Sequence, residues 1–264
     1  MAPPPLPQEL VDKIIDQFSE IARSDENRLS NKRVLASLSM VARAWRERSQ
    51  KHLFSTLDFR KLSSITLTES CSNELAPVFS LTRDLNIDGD WEALFQYDPV
   101  PAVLLCSFRN LEYLSLASWY LTGFSPEQLS TCFGHLGETV TQLKLEGEAS
   151  SNSLIYVTSM FPRLSVLEIT IEIHAPRGGR NISKEELPTT GSFQGYLSLW
   201  ALSGEHNDFL VFLSSTSPRF DTISIDECAI HGDGMVKLLN SSAASLESLE
   251  LFSGGDILRK FLDY

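Results

Sequence analysis

Two rhythms of apolar residues run along the chain, and they change over near residue 60. In the first segment Leu10, Val11, Ile14, Ile15, Phe18 and Ile21 recur at steps of three and four, which predicts an amphipathic helix. Pro7 suits the start of such a helix, where a missing N–H costs nothing, and Glu9 and Asp12 lie near the positive end of its dipole. The polar stretch "SEIARSDENRLSNK" predicts a long connection. The same steps then resume at Val34, Leu35, Leu38, Val41, Ala42 and Trp45, predicting a second helix, and "SQKHLFSTLDF" supplies a short final segment. Two helices and a turn of a third, in about fifty residues, make a small core. Such a unit is expected to dock on the rest of its own chain or on a partner.

Beyond residue 60 the apolar steps become 3, 2, 3 and 2. "RFDTISIDECAI" places Phe220, Ile223, Ile225, Cys228 and Ile230 in that order, and "LEYLSLASWYL" does the same with Leu111, Leu114, Leu116, Trp119 and Leu121. Partial copies are "TRDLNI", "VTQLKL", "RLSVLEI", "GYLSLWAL" and "LESLEL". Their central residues are Leu85, Leu114, Leu143, Leu167, Leu197, Ile223 and Leu249, with gaps of 29, 29, 24, 30, 26 and 26 residues. Helix-like stretches lie between them, among them "SPEQLSTCFGHLG", "SNSLIYVTSMFP", "NDFLVFLSSTSP" and "GDGMVKLLNSSA". The pattern and period resemble an irregular leucine-rich repeat. That resemblance implies an α/β solenoid over residues 61–264, with a parallel sheet on its concave side. "HAPRGGRNISKEELPTTGSFQG", 174–195, breaks the rhythm and is expected to be a loop or insertion.

Alternation assigns the residues between the apolar ones to the concave surface. They include five acids, Asp88, Glu146, Glu168, Asp226 and Glu250, against the single Lys144, with Trp200 and Phe252 toward the C-terminal half. Asp88, Glu146, Glu168, Trp200, Asp226 and Phe252 are the expected substrate-binding positions, suited to a basic or mixed basic–apolar protein.

Charge sharpens the division. The chain carries 22 Lys+Arg and 34 Asp+Glu, a net of -12. Residues 1–60 hold ten basic and eight acidic side chains, and the remainder holds 12 and 26. From Arg28 to Lys51 there are seven basic residues and one acid, Glu47. Leu6-Pro7, Glu9-Leu10, Ile14-Ile15 and then "LASLSMVARAWRERSQKHLF" resemble an F-box, with Ser39 to Trp45 matching its Ser-Leu-Val-x-Arg-x-Trp-like signature and Arg46 to Phe54 similar to the fungal variant. The resemblance implies an F-box-like helical domain over residues 1–60. Its partner would be the S-phase-kinase-associated adaptor protein and, through it, a cullin. Leu6, Pro7, Leu10, Ile14, Leu38, Val41, Trp45 and Arg48 become the implied adaptor-binding positions. The family's adaptor is acidic, so the basic rim would steer docking while the apolar stripe supplies most of the affinity. The alternative is a non-ligase binding scaffold whose first helices only cap the solenoid.

Other classes are disfavoured. The five histidines are dispersed, and no HExxH, GxSxG or Gly-rich phosphate loop occurs, so no catalytic residue, metal or cofactor is expected. Acidity beyond residue 60 opposes nucleic-acid binding, and no apolar run reaches the ~18 residues of a membrane span. The start lacks a signal-peptide pattern and the four cysteines show no CxxC, so a cytoplasmic or nuclear protein with reduced thiols is expected.

Overall fold

A computed structural model of the protein describes residues 7–22, 28–41, 43–60, 76–88, 105–120, 126–171, 193–228 and 233–252. Three helices come first: α1 (Gln8–Ala22), α2 (Arg28–Val41) and α3 (Arg43–Leu53). Eight strands follow: β1 (Thr56–Arg60), β2 (Asp84–Asp88), β3 (Tyr113–Tyr120), β4 (Gln142–Glu148), β5 (Val166–Ile171), β6 (Gln194–Trp200), β7 (Arg219–Asp226) and β8 (Ser248–Phe252). Between them run α4 (Pro126–Phe133), α5 (Ser151–Ser159), α6 (Asn207–Ser215) and α7 (Gly234–Ser242). The chain is therefore α/β, and its strands form one parallel sheet in sequential order, β1 to β8.

Register explains why this sheet forms. Leu57, Leu85, Leu114, Leu143, Leu167, Leu197, Ile223 and Leu249 stand opposite one another across all eight strands. Two residues on, Phe59, Ile87, Leu116, Leu145, Ile169, Leu199, Ile225 and Leu251 make a second row. From β2 to β7 both rows are buried, each side chain contributing roughly 1.5–3 kcal/mol of apolar transfer. The seven repeat centres read from the sequence thus share one row. At the end strands Leu57 is only partly buried and Leu249 is exposed, because a flanking strand is missing on one side among the described residues.

A backbone device recurs at each early step. The carbonyl of Ser55 accepts from Arg83 N and Asp84 N, that of Arg83 from Glu112 N and Tyr113 N, that of Glu112 from Thr141 N and Gln142 N, and that of Thr141 from Ser165 N and Val166 N. One forked acceptor per step sets where each new strand starts. At β6 the pattern shifts: Gln194 N bonds Leu164 O, Tyr196 N bonds Ser165 O, and the register slips between Gly195 and Tyr196. Gly195 has φ +78°, and a Cβ there would lie 2.4 Å from the Ser165 carbonyl oxygen.

Three sequence expectations are revised. The steps through Val41, Ala42 and Trp45 read as one helix, yet α2 stops at Val41 and α3 starts at Arg43. Near that joint Arg46 Nε donates to the Ser39 carbonyl at 3.4 Å, giving it a side-chain partner. The connection before it is shorter than expected, since α1 runs to Ala22 and α2 begins at Arg28. Finally, "TLDF" is strand rather than helical segment. The sheet therefore begins at Thr56, inside the segment assigned to the helical domain, because Leu57 and Phe59, partly buried, pack against the core at the end of the two rows. Most of the expected insertion, 174–195, lies outside the described residues, while Gln194 and Gly195 open β6.

Gly195→Ala is expected to cost about 2 kcal/mol, from the left-handed backbone and the carbonyl clash together. Gly134→Ala, whose new Cβ meets only Ser130 Oγ at an ordinary 3.5 Å, should be near neutral. Equilibrium denaturation of both variants checks the contrast.

Candidate functional site

α1 is apolar on two adjoining faces, and the helices cover only one. Val11 and Ile15 are buried with Leu35, and Leu38, Trp45 and Leu53 pack partly against them. Leu10 and Ile14, one residue earlier in each turn, are 48 % and 36 % exposed, and Pro7 is exposed on the same line at i, i+3, i+7. Pro7 is also structural, since its carbonyl accepts from Leu10 N and Val11 N at 3.0 and 3.2 Å. Met40 on α2, 78 % exposed, is a large apolar side chain the sequence reading did not single out. Of the expected adaptor-binding set, Leu6 and the side chain of Val41 lie outside the described residues. Leu38 and Trp45 face the small core.

Arg48 is engaged within the helices. Its Nε and Nη2 donate to Asp16 Oδ1 and Oδ2 at 2.9 and 2.6 Å, and His52 Nε2 meets Asp16 Oδ1 at 2.8 Å. This forked pair ties α3 to α1. The bond from Arg48 holds the Asp16 carboxyl below its ordinary 3.8, with His52 adding to the effect against some desolvation.

The second surface is the sheet face opposite the apolar rows. Its middle row reads Asp58, Asn86, Ser115, Lys144, Glu168, Ser198, Ser224 and Glu250. The next row, on β4 to β8, reads Glu146, Thr170, Trp200, Asp226 and Phe252. Asp88 lies on β2, two residues beyond Asn86, and is exposed. Register thus brings Glu146, Trp200, Asp226 and Phe252 into one row, places Glu168 beside it and leaves Asp88 strands away. Asn86 Nδ2 donates to Asp58 Oδ1 at 2.8 Å, and Lys144 Nζ lies 3.3 Å from Glu146 Oε2. Desolvation works against the Lys144 charge, but Glu146 and Glu168 more than offset it and hold its pKa above the ordinary value. Trp200 and Phe252 are 42 % and 51 % exposed.

A third constellation escaped the sequence reading. Cys106 Sγ lies 3.7 Å from His135 Nδ1, while His135 Nε2 reaches the Leu105 carbonyl at 2.7 Å. The carbonyl requires Nε2–H, so Nδ1 presents its lone pair to the thiol. Partial desolvation raises the Cys106 pKa and lowers that of His135, against the Leu105 bond, so both stay neutral near pH 7. The thiol donates and is not an activated nucleophile. Cys132 and Cys228 are buried, and desolvation pushes them up to about 12 and about 11. His206 is structural as well, its Nδ1 accepting from Ser203 N and its Nε2 meeting Ala149 O, both at 3.1 Å. Among the described residues no group of three or more His, Cys, Asp or Glu could hold a metal ion, and no helix is long and apolar enough to cross a membrane.

Comparison of the sequence with protein-family models and with curated proteins finds no match. The surfaces themselves therefore carry the functional reading.

Two outcomes follow. Asp16 has a depressed folded pKa, so its contribution is present above pH 3.8 and is lost as pH falls through the folded value. Asp16→Asn should lower the melting temperature at pH 7, and the gap should close in acid; being half-exposed, the pair is worth about 1 kcal/mol or less. Site-resolved iodoacetamide labelling at pH 7.5 should be slower at Cys106 than for free cysteine, and a faster rate would contradict a neutral pair.

Proposed function

We propose that this chain is the substrate-recognition subunit of a cullin-type ubiquitin ligase. The opening helices, as an F-box-like unit, bind the S-phase-kinase-associated adaptor protein. The sheet, as an irregular leucine-rich-repeat array, presents its polar face to a protein substrate. The chain itself transfers nothing, and its partners are proteins of the cytoplasm or nucleus.

One observation carries this reading: the Pro7, Leu10, Ile14 line is apolar, exposed and continuous with the buried Val11 and Ile15 face. Covering Leu10 and Ile14 would each contribute on the order of 1 kcal/mol, since about half of each remains to be buried. The F-box resemblance assigns the same residues to the adaptor. Sequential parallel strands with repeat centres in one row support the array. Trp45 and Leu38 contribute by holding the helices together, and Arg48 by fixing α3 against α1. The steering role falls to the other basic residues of the segment.

A second reading keeps the helices as a cap on the sheet and nothing more. Lys32 Nζ donating to the Thr56 carbonyl at 3.2 Å favours it, because that bond ties α2 to the start of β1.

Co-expression with the adaptor separates the two. The wild type should co-purify, and Leu10→Glu or Ile14→Glu should weaken the complex at least ~30-fold, about 2 kcal/mol or more, while leaving the melting temperature within a few degrees. A wild type that never co-purifies would favour the cap, and a Leu10→Glu chain that unfolds would do the same.

A further inference from the structure

Among the described residues β8 pairs with β7 and with no other strand. Its side chains show the consequence. Leu197 and Ile223 on β6 and β7 are fully buried, whereas Leu249, next in the same row, is 43 % exposed. In the second row Leu199 and Ile225 are buried, and Leu251 is only partly so, packed against the core from one side. The first strand differs, because Lys32 on α2 donates to its Thr56 carbonyl and ties a helix to it. An end strand points alternate N–H and C=O groups outward. The edge of β8 therefore sets backbone donors and acceptors beside an unfinished apolar surface.

Charge states what kind of strand this edge fits. Glu250 stands between Leu249 and Leu251 but on the opposite, polar face, and Glu247 lies just before the strand; both are exposed. Among the described residues neither carboxylate has an ion pair or a side-chain hydrogen bond. The neighbour of Glu250 on β7 is the small, uncharged Ser224, and exposed Phe252 adds apolar surface two residues on along the same face. Like charges placed directly opposite each other destabilise a strand pair, and opposite charges stabilise it. That rule disfavours a second copy of this chain. Two β8 strands paired antiparallel with Leu249 against Leu251 would set Glu250 against Glu250, and the register centred on Leu249 would set Leu251 against Glu247.

We propose that the outer edge of β8 receives an extended segment of the protein substrate as an added strand, with apolar side chains beside Leu249 and Leu251 and a basic side chain opposite Glu250. In strand addition the main-chain hydrogen bonds supply affinity, and alternate side chains supply the choice of partner. The edge deepens the proposed function, resting on the reading that the sheet takes a protein substrate, and it makes an apolar–basic–apolar triplet the recognised feature.

The test uses the full chain and the blocked peptide Thr-Val-Arg-Val-Thr, which reads the same in both directions, titrated by calorimetry. Its glutamate counterpart, Thr-Val-Glu-Val-Thr, should bind at least ~tenfold more weakly. Glu250→Lys should invert that order, an outcome that neither a loss of folding nor a diffuse acidic field produces. Equal binding of the two peptides by the unaltered chain, or an order that Glu250→Lys leaves unchanged, would overturn the edge. N-methylation at both valines, or instead at the arginine and both threonines, blocks alternate backbone donors. One pattern should abolish binding and the other leave it; tolerance of both or of neither would rule out strand pairing. No binding at millimolar peptide also overturns the proposal. If Arg259→Glu then restores binding, the occupant is this chain's own segment 257–261, where Ile257, Arg259 and Phe261 alternate in the same way. Sedimentation of the chain alone as a dimer that Leu249→Glu makes monomeric would name a second copy instead and would equally overturn it. Adaptor co-purification is read in parallel. Adaptor binding without peptide binding sinks the edge alone, and peptide binding without adaptor binding sinks only the ligase assignment.

Discussion

Every feature beyond the opening helices depends on the in-step alignment of the two apolar rows. A strand alternates sides with each residue, so a slip of one position would turn Leu143 and Leu145 outward and bring Lys144 and Glu146 into the core. Burying those charges would cost far more than a lost backbone bond. The rows are thus locked from within by burial and from below by the forked carbonyls of Ser55, Arg83, Glu112 and Thr141. Locking one side fixes the other. The neighbours of Trp200 on the polar face are Thr170 and Asp226 because Leu197 and Leu199 cannot be anywhere else.

The opening helices obey a different constraint. Among the described residues their buried cluster is three residues with three partial partners, against the long continuous core under the sheet. A core that small does not use up the apolar surface of α1, and the bidentate Arg48–Asp16 pair supplies part of the cohesion that apolar packing lacks. Leu10 and Ile14 stand exposed beside that core.

Legibility in the sequence followed the range of the interaction. Repeat centres from Leu85 to Leu249 were readable because strand burial is written locally, as apolar steps of two and three. The first strand was missed because Leu57 and Phe59 follow directly on a helix, and two apolar residues do not establish a rhythm. The α2–α3 joint was missed because Val41 to Trp45 keeps a helical step and contains neither proline nor glycine. Asp16 and Arg48 lie 32 residues apart in segments with no shared period, so nothing local announced the pair. Cys106 and His135 are different. They are 29 residues apart, one of the repeat lengths already counted, and matching positions in successive units become neighbours in space. Comparing residues one period apart would have found them.

The same periodic comparison explains why the polar face could be read by position but not by combination. Alternation alone placed Trp200, Asp226 and Phe252 outward. Their meeting in one row required the gaps between units, 26 residues in both cases, to be matched by equal strand offsets. The slip between Gly195 and Tyr196 lies inside the β6–β7 pairing, and without it the Gln194–Arg219 register would run one step out from the Tyr196–Thr222 pairing. The extra residue Asp221 on β7, at the slip beside the left-handed Gly195, thus brings the Leu197–Ile223 rows and the Trp200–Asp226 pair into step. The order of side chains on this face is set as much by a backbone exception as by alternation along the strands.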